Sequence, residues 1–248
     1  MLDKLRERAQ YPDCIFAAFP DGESGKIYNP RGDASDELIF WGRYSPDSKP
    51  VVENGMFVTR AKYAQTGFRY NAEAAKGARK FTLICSIKVD RPNDGAVIYP
   101  SVLMLSGGAG SYYTGLGWQV GTITQATRPN MSLNPFMRYT NTDGSTIYGF
   151  QAGGMAFPWD EWHTVACTID MDAGTITGYL DGVKKVTGTA KTFPIVEIYP
   201  ALTQFSFCDM QTNPNGTGTL NDKPMSSKYG LIFTTILSDD ELKYLMQE

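Results

Sequence analysis

Histidine is the residue type on which most acid–base, nucleophilic and zinc chemistry depends, and this chain of 248 residues contains one, His163. Any Ser-His-Asp or Cys-His mechanism would therefore have to be built on that side chain. His163 opens the segment HTVACTID, in which apolar residues alternate with small or polar ones. Because such alternation is typical of a β-strand, three interpretations of His163 are open: a catalytic base, a metal ligand, or the first residue of a strand.

The cysteines bear on metal chemistry in the same way. A hydrolytic zinc site needs several histidine or cysteine ligands at close spacing. The four cysteines form no C-x-x-C pair and are widely separated: Cys14, Cys85, Cys167 and Cys208. Cys85 and Cys167 fall in apolar strand patterns, which indicates buried free thiols, with a disulfide as the alternative. The sequence predicts no zinc centre.

Aromatic side chains in two glycine-containing loops have the composition of a saccharide site. The loops are SGGAGSYYTGLGW, residues 106–118, and RYTNTDGSTIYGF, residues 138–150. Sugar rings stack their apolar C–H faces on aromatic rings, while amide and carboxylate groups hold the sugar hydroxyls. The candidate ligand-binding residues are Tyr112, Tyr113, Trp118, Tyr139, Asn141 and Tyr148. In the alternative interpretation, the glycines serve turns and the aromatic rings pack inward.

Three aspartates in turns are candidate ligands for calcium, a hard cation that prefers oxygen donors. Asp170 and Asp172 lie in the turn DMDAG, and Asp143 lies in the turn NTDGS. Neither turn has the carboxylate density of a dedicated calcium loop, so two solvated turns are the alternative. The sequence therefore establishes no cofactor, and calcium is the candidate that it leaves open.

Short alternating segments, separated by clusters of Gly, Pro, Asn and Asp, must position these residues. The clearest is KFTLICSIKVD, in which every second residue is apolar and Ile84 is the one exception. That pattern predicts a strand with one face on a core and the other mostly toward water. Roughly eleven such segments and no long helix predict an all-β fold, a two-sheet antiparallel β-sandwich.

Both ends of the chain predict short helices. Residues 1–10, MLDKLRERAQ, form the predicted N-terminal helical leader, and residues 11–248 form the β-sandwich as one domain. The leader either packs loosely or docks the protein onto a larger assembly. Near the other end, Ser238 and Glu241 have the spacing of a capping box, which predicts the start of a C-terminal helix.

The net charge and the hydropathy of the chain argue against nucleic acid and membranes as binding partners. The formal net charge is −3 and the isoelectric point is near 5.3. A chain without basic clusters lacks the cationic surface that nucleic acid binding needs. No apolar run approaches the ~18 residues of a membrane span. The N-terminal segment has no apolar signal-peptide stretch, so we expect the protein to be made in a cytoplasm unless a signal sequence has been removed.

Two blocks of the sequence resemble the laminin-G-like branch of the concanavalin A-like lectin/glucanase superfamily. In that family a strand opens with Trp-His, a hairpin follows, the next strand ends in Asp-Gly-Val, and Leu-Ser-x-x-Glu-Leu opens a terminal helix. The matching residues are Trp162, His163, Val165, Ala166, Asp170, Gly174, Tyr179, Asp181, Gly182, Val183, Leu237, Ser238, Glu241 and Leu242. The resemblance implies a concanavalin A-like jelly roll and a structural role for His163.

The same resemblance bears on catalysis. Glucanases of this superfamily carry Glu-x-Asp-x-x-Glu or a close variant on one strand, because a glycosidase needs two carboxylates a few ångströms apart. This sequence has no such run, since Glu197 stands alone and Asp36 and Glu37 are adjacent. We therefore predict that the protein is not an enzyme.

The resulting functional prediction is a non-enzymatic binding or adhesion module. An adhesion-type fold without a signal peptide fits a bacteriophage virion protein, which folds in the host cytoplasm and acts outside after lysis. It would be a decoration, head-fibre or tail-associated protein of the virion surface. The predicted partners are host cell-surface glycans or neighbouring virion subunits, with association between copies of the chain as a further option. The alternatives are a purely structural virion component, or an excised carbohydrate-binding domain of a secreted, extracellular protein.

Overall fold

The computed structural model describes residues 2–20, 39–42, 51–59, 66–71, 75, 77–91, 98–107, 114–120, 130–140, 146–147, 154–189, 204–212 and 225–247. These residues form sixteen strands, with helix α1 (Leu2–Arg8) before them and helix α2 (Asp239–Met246) after them. The strands make two antiparallel sheets. The prediction of an all-β, two-sheet antiparallel β-sandwich with a short helix at each end is confirmed.

The first sheet contains eight of the described strands. They are β1 (Cys14–Ala18), β3 (Val51–Glu53), β4 (Met56–Thr59), β6 (Lys80–Val89), β12 (His163–Asp170), β13 (Thr175–Leu180), β14 (Val183–Thr189) and β16 (Met225–Phe233). Their order is β14-β13-β12-β6-β16-β4-β3, and β1 pairs with the second half of β16. The segment HTVACTID therefore lies in the interior of this sheet, between β6 and β13.

The second sheet also contains eight of the described strands. They are β2 (Ile39–Gly42), β5 (Thr66–Asn71), β7 (Ile98–Gly107), β8 (Thr114–Val120), β9 (Asn130–Thr140), β10 (Thr146–Ile147), β11 (Met155–Pro158) and β15 (Gln204–Thr212). Their order is β10-β9-β8-β7-β15-β5-β2, with β11 on β9. The two sheets meet where the ring of Phe157 on β11 packs edge-on against His163 on β12, with ring centroids 5.0 Å apart.

Hydrophobic residues cover the central strands of the first sheet on both faces. Residues 81–87 of β6 are all buried, so the expectation that Thr82 and Ser86 face water is wrong. The cause is that α1 and α2 lie over that face, where Leu5 of α1 and Ile84 of β6 are fully buried. We call the resulting cluster the outer core; it consists of Leu5, Ala9, Cys14, Ala17, Phe19, Ile84, Ala166, Tyr179, Tyr229, Leu231, Phe233, Leu237, Leu242, Leu245 and Met246. Ile84 breaks the alternation because it belongs to this second core.

A β-bulge in β16 makes the outer core complete. Ser227 is the partner of Ile87 in β6, but Tyr229 is the partner of Ser86, so Lys228 is an extra residue without a cross-strand partner in β6. An inserted residue of this kind shifts the side-chain alternation of its strand by one position. The later residues of β16, beginning with Tyr229, consequently join the outer core.

Polar contacts join α1, α2 and the turn between α1 and β1. Arg8 donates to both carboxylate oxygens of Asp13 at 2.7 Å and to Glu241 Oε1 at 2.7 Å. Ser238 caps α2, since its Oγ accepts the Glu241 N–H at 3.2 Å. The predicted N-cap is thus confirmed, whereas the Glu241 carboxylate pairs with Arg8 instead of closing the capping box. α1 is consequently an integral part of the fold and is not loosely packed.

Candidate binding pocket

A surface pocket of about 700 Å³ lies on the outer face of the first sheet, beside the ends of the two helices. We call it the outer pocket. Three hydroxyl-bearing residues on adjacent strands form its floor: Ser86 on β6, Thr164 on β12 and Tyr229 on β16. Ser86 is the cross-strand partner of both of the others. Thr164 Oγ1 and Tyr229 Oη are 3.0 Å apart and share a hydrogen bond. The register of three strands therefore builds a polar floor inside an apolar surrounding.

Trp162 and Lys228 form one side of the outer pocket. Trp162 directly precedes β12, and Lys228 is the bulge residue of β16. The Lys228 Nζ lies 4.5 Å from the centroid of the Trp162 ring, which is a cation–π contact. Within the described part of the chain, Lys228 has no carboxylate partner, whereas Lys80, Lys88 and Lys184 each pair with an aspartate.

Asp181 and His163 form another part of the pocket lining. Asp181 begins the tight turn between β13 and β14, where both it and Gly182 have positive φ, 51° and 75°. Its Oδ1 accepts the backbone N–H of Thr164 at 2.9 Å, and its Oδ2 lies 2.8 Å from His163 Nδ1. Its own N–H donates to the Thr164 carbonyl at 2.8 Å. The Asp181 carboxylate is therefore a clamp that joins the start of β12 to the next hairpin turn.

The helices close the remaining side with Leu2 of α1 and with Met246 and Gln247 at the end of α2. The β13–β14 turn lies tightly against the same helix end, because a Cβ on Gly182 would be 3.3 Å from Lys243 Cα and 3.4 Å from Gln247 Cγ. The end of α2 and the β13–β14 turn are thus in close contact beside the pocket.

The His163–Asp181 pair has the geometry of a base with its orienting carboxylate, but no described hydroxyl or thiol is hydrogen-bonded to the other ring nitrogen. The His163 Nε2 atom is buried and has no hydrogen-bond partner among the described residues. Its nearest acidic group, Glu161 Oε2, is 3.7 Å away. The thiol of Cys167 on the same strand is fully buried, and desolvation raises its pKa well above the usual range. No described hydroxyl or thiol therefore forms with His163 Nε2 the nucleophile–base pair that histidine-based acyl transfer requires.

The saccharide residues predicted from the two loops lie only partly within the described residues. Trp118 is in β8, paired with Pro135 of β9, and Tyr139 is in β9, paired with Ile147 of β10. The two thus lie on neighbouring strands of the second sheet, with the partner of Trp118 four positions before Tyr139. The other four predicted saccharide residues lie outside the described residues; they are Tyr112, Tyr113, Asn141 and Tyr148. Saccharide binding by these two loops, residues 106–118 and 138–150, stays a prediction.

The two described calcium candidates are engaged in local contacts. Asp170 Oδ1 accepts the N–H groups of Asp172 and Ala173, both at 2.9 Å, and its Oδ2 is 3.3 Å from Lys80 Nζ. Partial burial works against ionisation, but the bonds from the Ala173 N–H and Lys80 outweigh it and lower the pKa of Asp170. Asp172 Oδ1 accepts from Arg79 Nε at 2.5 Å.

No group of three or more potential metal ligands occurs in the part of the chain that the structure describes. Asp143 lies outside that part, and calcium binding stays a prediction. Among the described residues, no helix is both long enough and apolar enough to cross a membrane.

Sequence analysis missed most of the outer pocket. The Trp-His motif identifies Trp162 and His163, but the floor residues Ser86 and Thr164 occupy positions of the kind that alternation predicts to face water in a half-buried strand. Lys228 is the one further floor or wall residue that the sequence could have indicated, since it is the single charged residue of the segment MSSKYGLIF, which forms β16. A bulge at that position depends on the partner strand and has no local signature.

The sequence matches no protein-family model and no curated protein. Solved structures do share its fold. The binding domain of botulinum neurotoxin DC in complex with rat synaptotagmin II superposes with a TM-score of 0.57 at 13% identity, covering 94% of this chain and 51% of that one. A structure of botulinum neurotoxin type C, whose cell entry depends on interaction with two ganglioside molecules, gives 0.59 at 12% identity, covering 97% and 52%.

A third structure, the binding domain of botulinum neurotoxin DC in complex with SialylT, gives a TM-score of 0.55 at 13% identity, covering 94% of this chain and 50% of that one. The chain thus spans about half the length of the structures that it matches. The likeness shows the fold, a β-sandwich of the jelly-roll kind.

Proposed function

We propose that the protein is a non-enzymatic binding module for a saccharide, and that the outer pocket is a binding site. The composition of the pocket carries this proposal: the Trp162 indole stands beside three hydroxyl-bearing side chains. A volume of about 700 Å³ is within the range of small-molecule sites. An aromatic ring suits the C–H face of a sugar, and hydroxyls and the Gln247 amide suit its hydroxyl groups.

The comparisons support binding as the class of function. Two of the three similar structures are named as binding domains, and two are named with a ganglioside or SialylT. Those ligands belong to those proteins, and they make glycans the first compounds to test on this one. No described hydroxyl or thiol is hydrogen-bonded to His163 Nε2, which supports a role without catalysis.

The finer assignments belong to the same proposal. We place the chain in the laminin-G-like branch of the concanavalin A-like superfamily, because the two matching blocks fall on the β12–β13 hairpin and on the start of α2. Residues 1–10 would be its leader and residues 11–248 its sandwich domain. The location that we propose is the surface of a bacteriophage virion, with extracellular secretion as the alternative. The support for both locations is the resemblance to laminin-G-like domains together with an adhesion-type fold.

A glycan and bacterial polysaccharide array, probed in calcium and then in EDTA, tests the function. Specific binding supports a lectin-like module, and loss of binding in EDTA would support calcium coordination. Binding that is lost in Tyr113→Ala but kept in Trp162→Ala would place the binding site in the loops of residues 106–118 and 138–150 instead of the outer pocket. A blank array with a folded protein would contradict the proposal and favour the purely structural role, which co-purification with virion particles would then test.

A further inference from the structure

The charge arrangement of the outer pocket indicates which saccharides it prefers. Among the described residues, the pocket is lined by one carboxylate, that of Asp181, and by one ammonium group, that of Lys228. The two differ in how far their hydrogen-bonding capacity is used inside the protein. Both Asp181 oxygens are engaged, one by the Thr164 N–H and the other by His163.

Lys228 is positioned by the bulge of β16 and by the Trp162 ring. Its neighbour Ser227 spans the bulge, since the Ser227 Oγ donates to the Ser86 carbonyl oxygen at 2.5 Å and lies 3.1 Å from the Tyr229 carbonyl oxygen. The Lys228 Nζ lies over the Trp162 ring, and among the described residues it has no carboxylate partner. An ammonium group that rests on an aromatic ring keeps its donors available for an anionic ligand. The nearby Glu161 carboxylate approaches His163, at 3.7 Å, and does not line the pocket.

We propose that the outer pocket binds a saccharide that carries a carboxylate, with Lys228 as the contact for the carboxylate and Trp162 beside the sugar ring. The hydroxyls of Ser86 and Thr164 on the pocket floor serve the sugar hydroxyls. This inference rests on the proposed function and names the ligand class of the same site. Uronic acids and sialic acids share the required chemistry, a carboxylate on a pyranose ring.

Matched sugars test the inference by calorimetric titration at one ionic strength. Methyl glucuronide is compared with methyl glucoside, and 3′-sialyllactose with lactose, so that the two arms distinguish the two sources of the carboxylate. In at least one arm we expect the acidic sugar to bind about tenfold more tightly than its neutral partner, since a charge-assisted hydrogen bond typically has that effect. The acidic preference should weaken as salt is raised.

Lys228→Met, which keeps much of the aliphatic stem, should abolish the preference for the acidic sugar. Lys185→Met is the matched control, because Lys185 is an exposed residue of β14 that does not line the pocket. Thermal unfolding of both variants confirms that they fold. Neutral sugars binding as well as acidic ones would overturn the inference and leave the proposed function standing, as would an acidic preference that survives in Lys228→Met. Failure of every saccharide to bind would overturn both.

Discussion

The Oδ2 atom of Asp181 lies 2.8 Å from Nδ1 of His163, across 18 residues of sequence. This contact, together with the bond from the Thr164 N–H to the other carboxylate oxygen, ties the first residues of β12 to the β13–β14 turn. The single histidine of the chain is therefore part of a structural clamp beside a pocket. Its partner is a side-chain carboxylate.

Substitution of Asp181 tests the clamp. We expect Asp181→Ala to lower the free energy of unfolding by about 2 kcal/mol, because two hydrogen bonds are lost and alanine fits the positive φ poorly. Asp181→Asn should cost less than half as much, since asparagine tolerates positive φ and its amide oxygen still accepts from Thr164. Urea denaturation measures both. Equal effects of the two substitutions would show that the side-chain bonds contribute little.

The outer core should depend strongly on α1. Leu5 is fully buried in it, whereas Leu2 on the same helix is 42% exposed. We expect Leu5→Ala to destabilise the protein by about 2–4 kcal/mol through lost burial and a cavity. Leu2→Ala, the matched control, should change the free energy of unfolding by less than about 0.5 kcal/mol. A Leu5 variant as stable as the wild type would mean that the helix is dispensable for the fold.

The Arg8–Asp13 pair predicts a specific acid sensitivity. The Arg8 guanidinium donates to both carboxylate oxygens, and it lowers the pKa of Asp13 from 3.8 to about 2, against the opposing effect of partial burial. A carboxyl group whose pKa is depressed in the folded state stabilises that state above its unfolded pKa. This stabilisation is lost as the pH falls from about 4 to about 2.

Asp13→Asn should therefore be about 1–2 kcal/mol less stable than the wild type at neutral pH, and the difference should shrink as the pH falls through that window. Denaturant titrations at several pH values between about 2 and 7 measure it. A difference that stays constant over the whole range would exclude the ionised pair as its cause.

Two glycines separate backbone strain from steric contact. Gly182 and Gly77 both have positive φ, at 75° and 77°, but only Gly182 has neighbours within 4 Å of an added Cβ. Gly77→Ala should cost about 1 kcal/mol from strain alone. Gly182→Ala should cost at least about 1 kcal/mol more, since its Cβ meets the backbone of α2 at Lys243. Equal melting temperatures of the two variants would contradict this packing of the turn.

The comparison of sequence and structure shows what local patterns can predict. Alternation identified β6 and β12 because their inner faces are regularly apolar, and the Ser238 cap was predictable because it acts within four residues. The outer core was not predictable in this way. Ile84 is an exception to the alternation that only the distant helices explain. Lys228 lines the pocket because β16 has a bulge at that position. The bulge depends on the register of β16 against β6, and the contacting residues Ser227 and Ser86 are 141 residues apart in the sequence.

Titration calorimetry with the best array hit tests the central claim, that the outer pocket is a saccharide site, most directly. Wild-type protein is compared with Trp162→Ala and with Trp118→Ala, after thermal unfolding shows that both variants fold. We expect Trp162→Ala to weaken binding by about tenfold, as loss of an aromatic contact typically does, and Trp118→Ala to leave the affinity unchanged. The reverse pattern, with binding lost in Trp118→Ala and intact in Trp162→Ala, would contradict the assignment of the pocket.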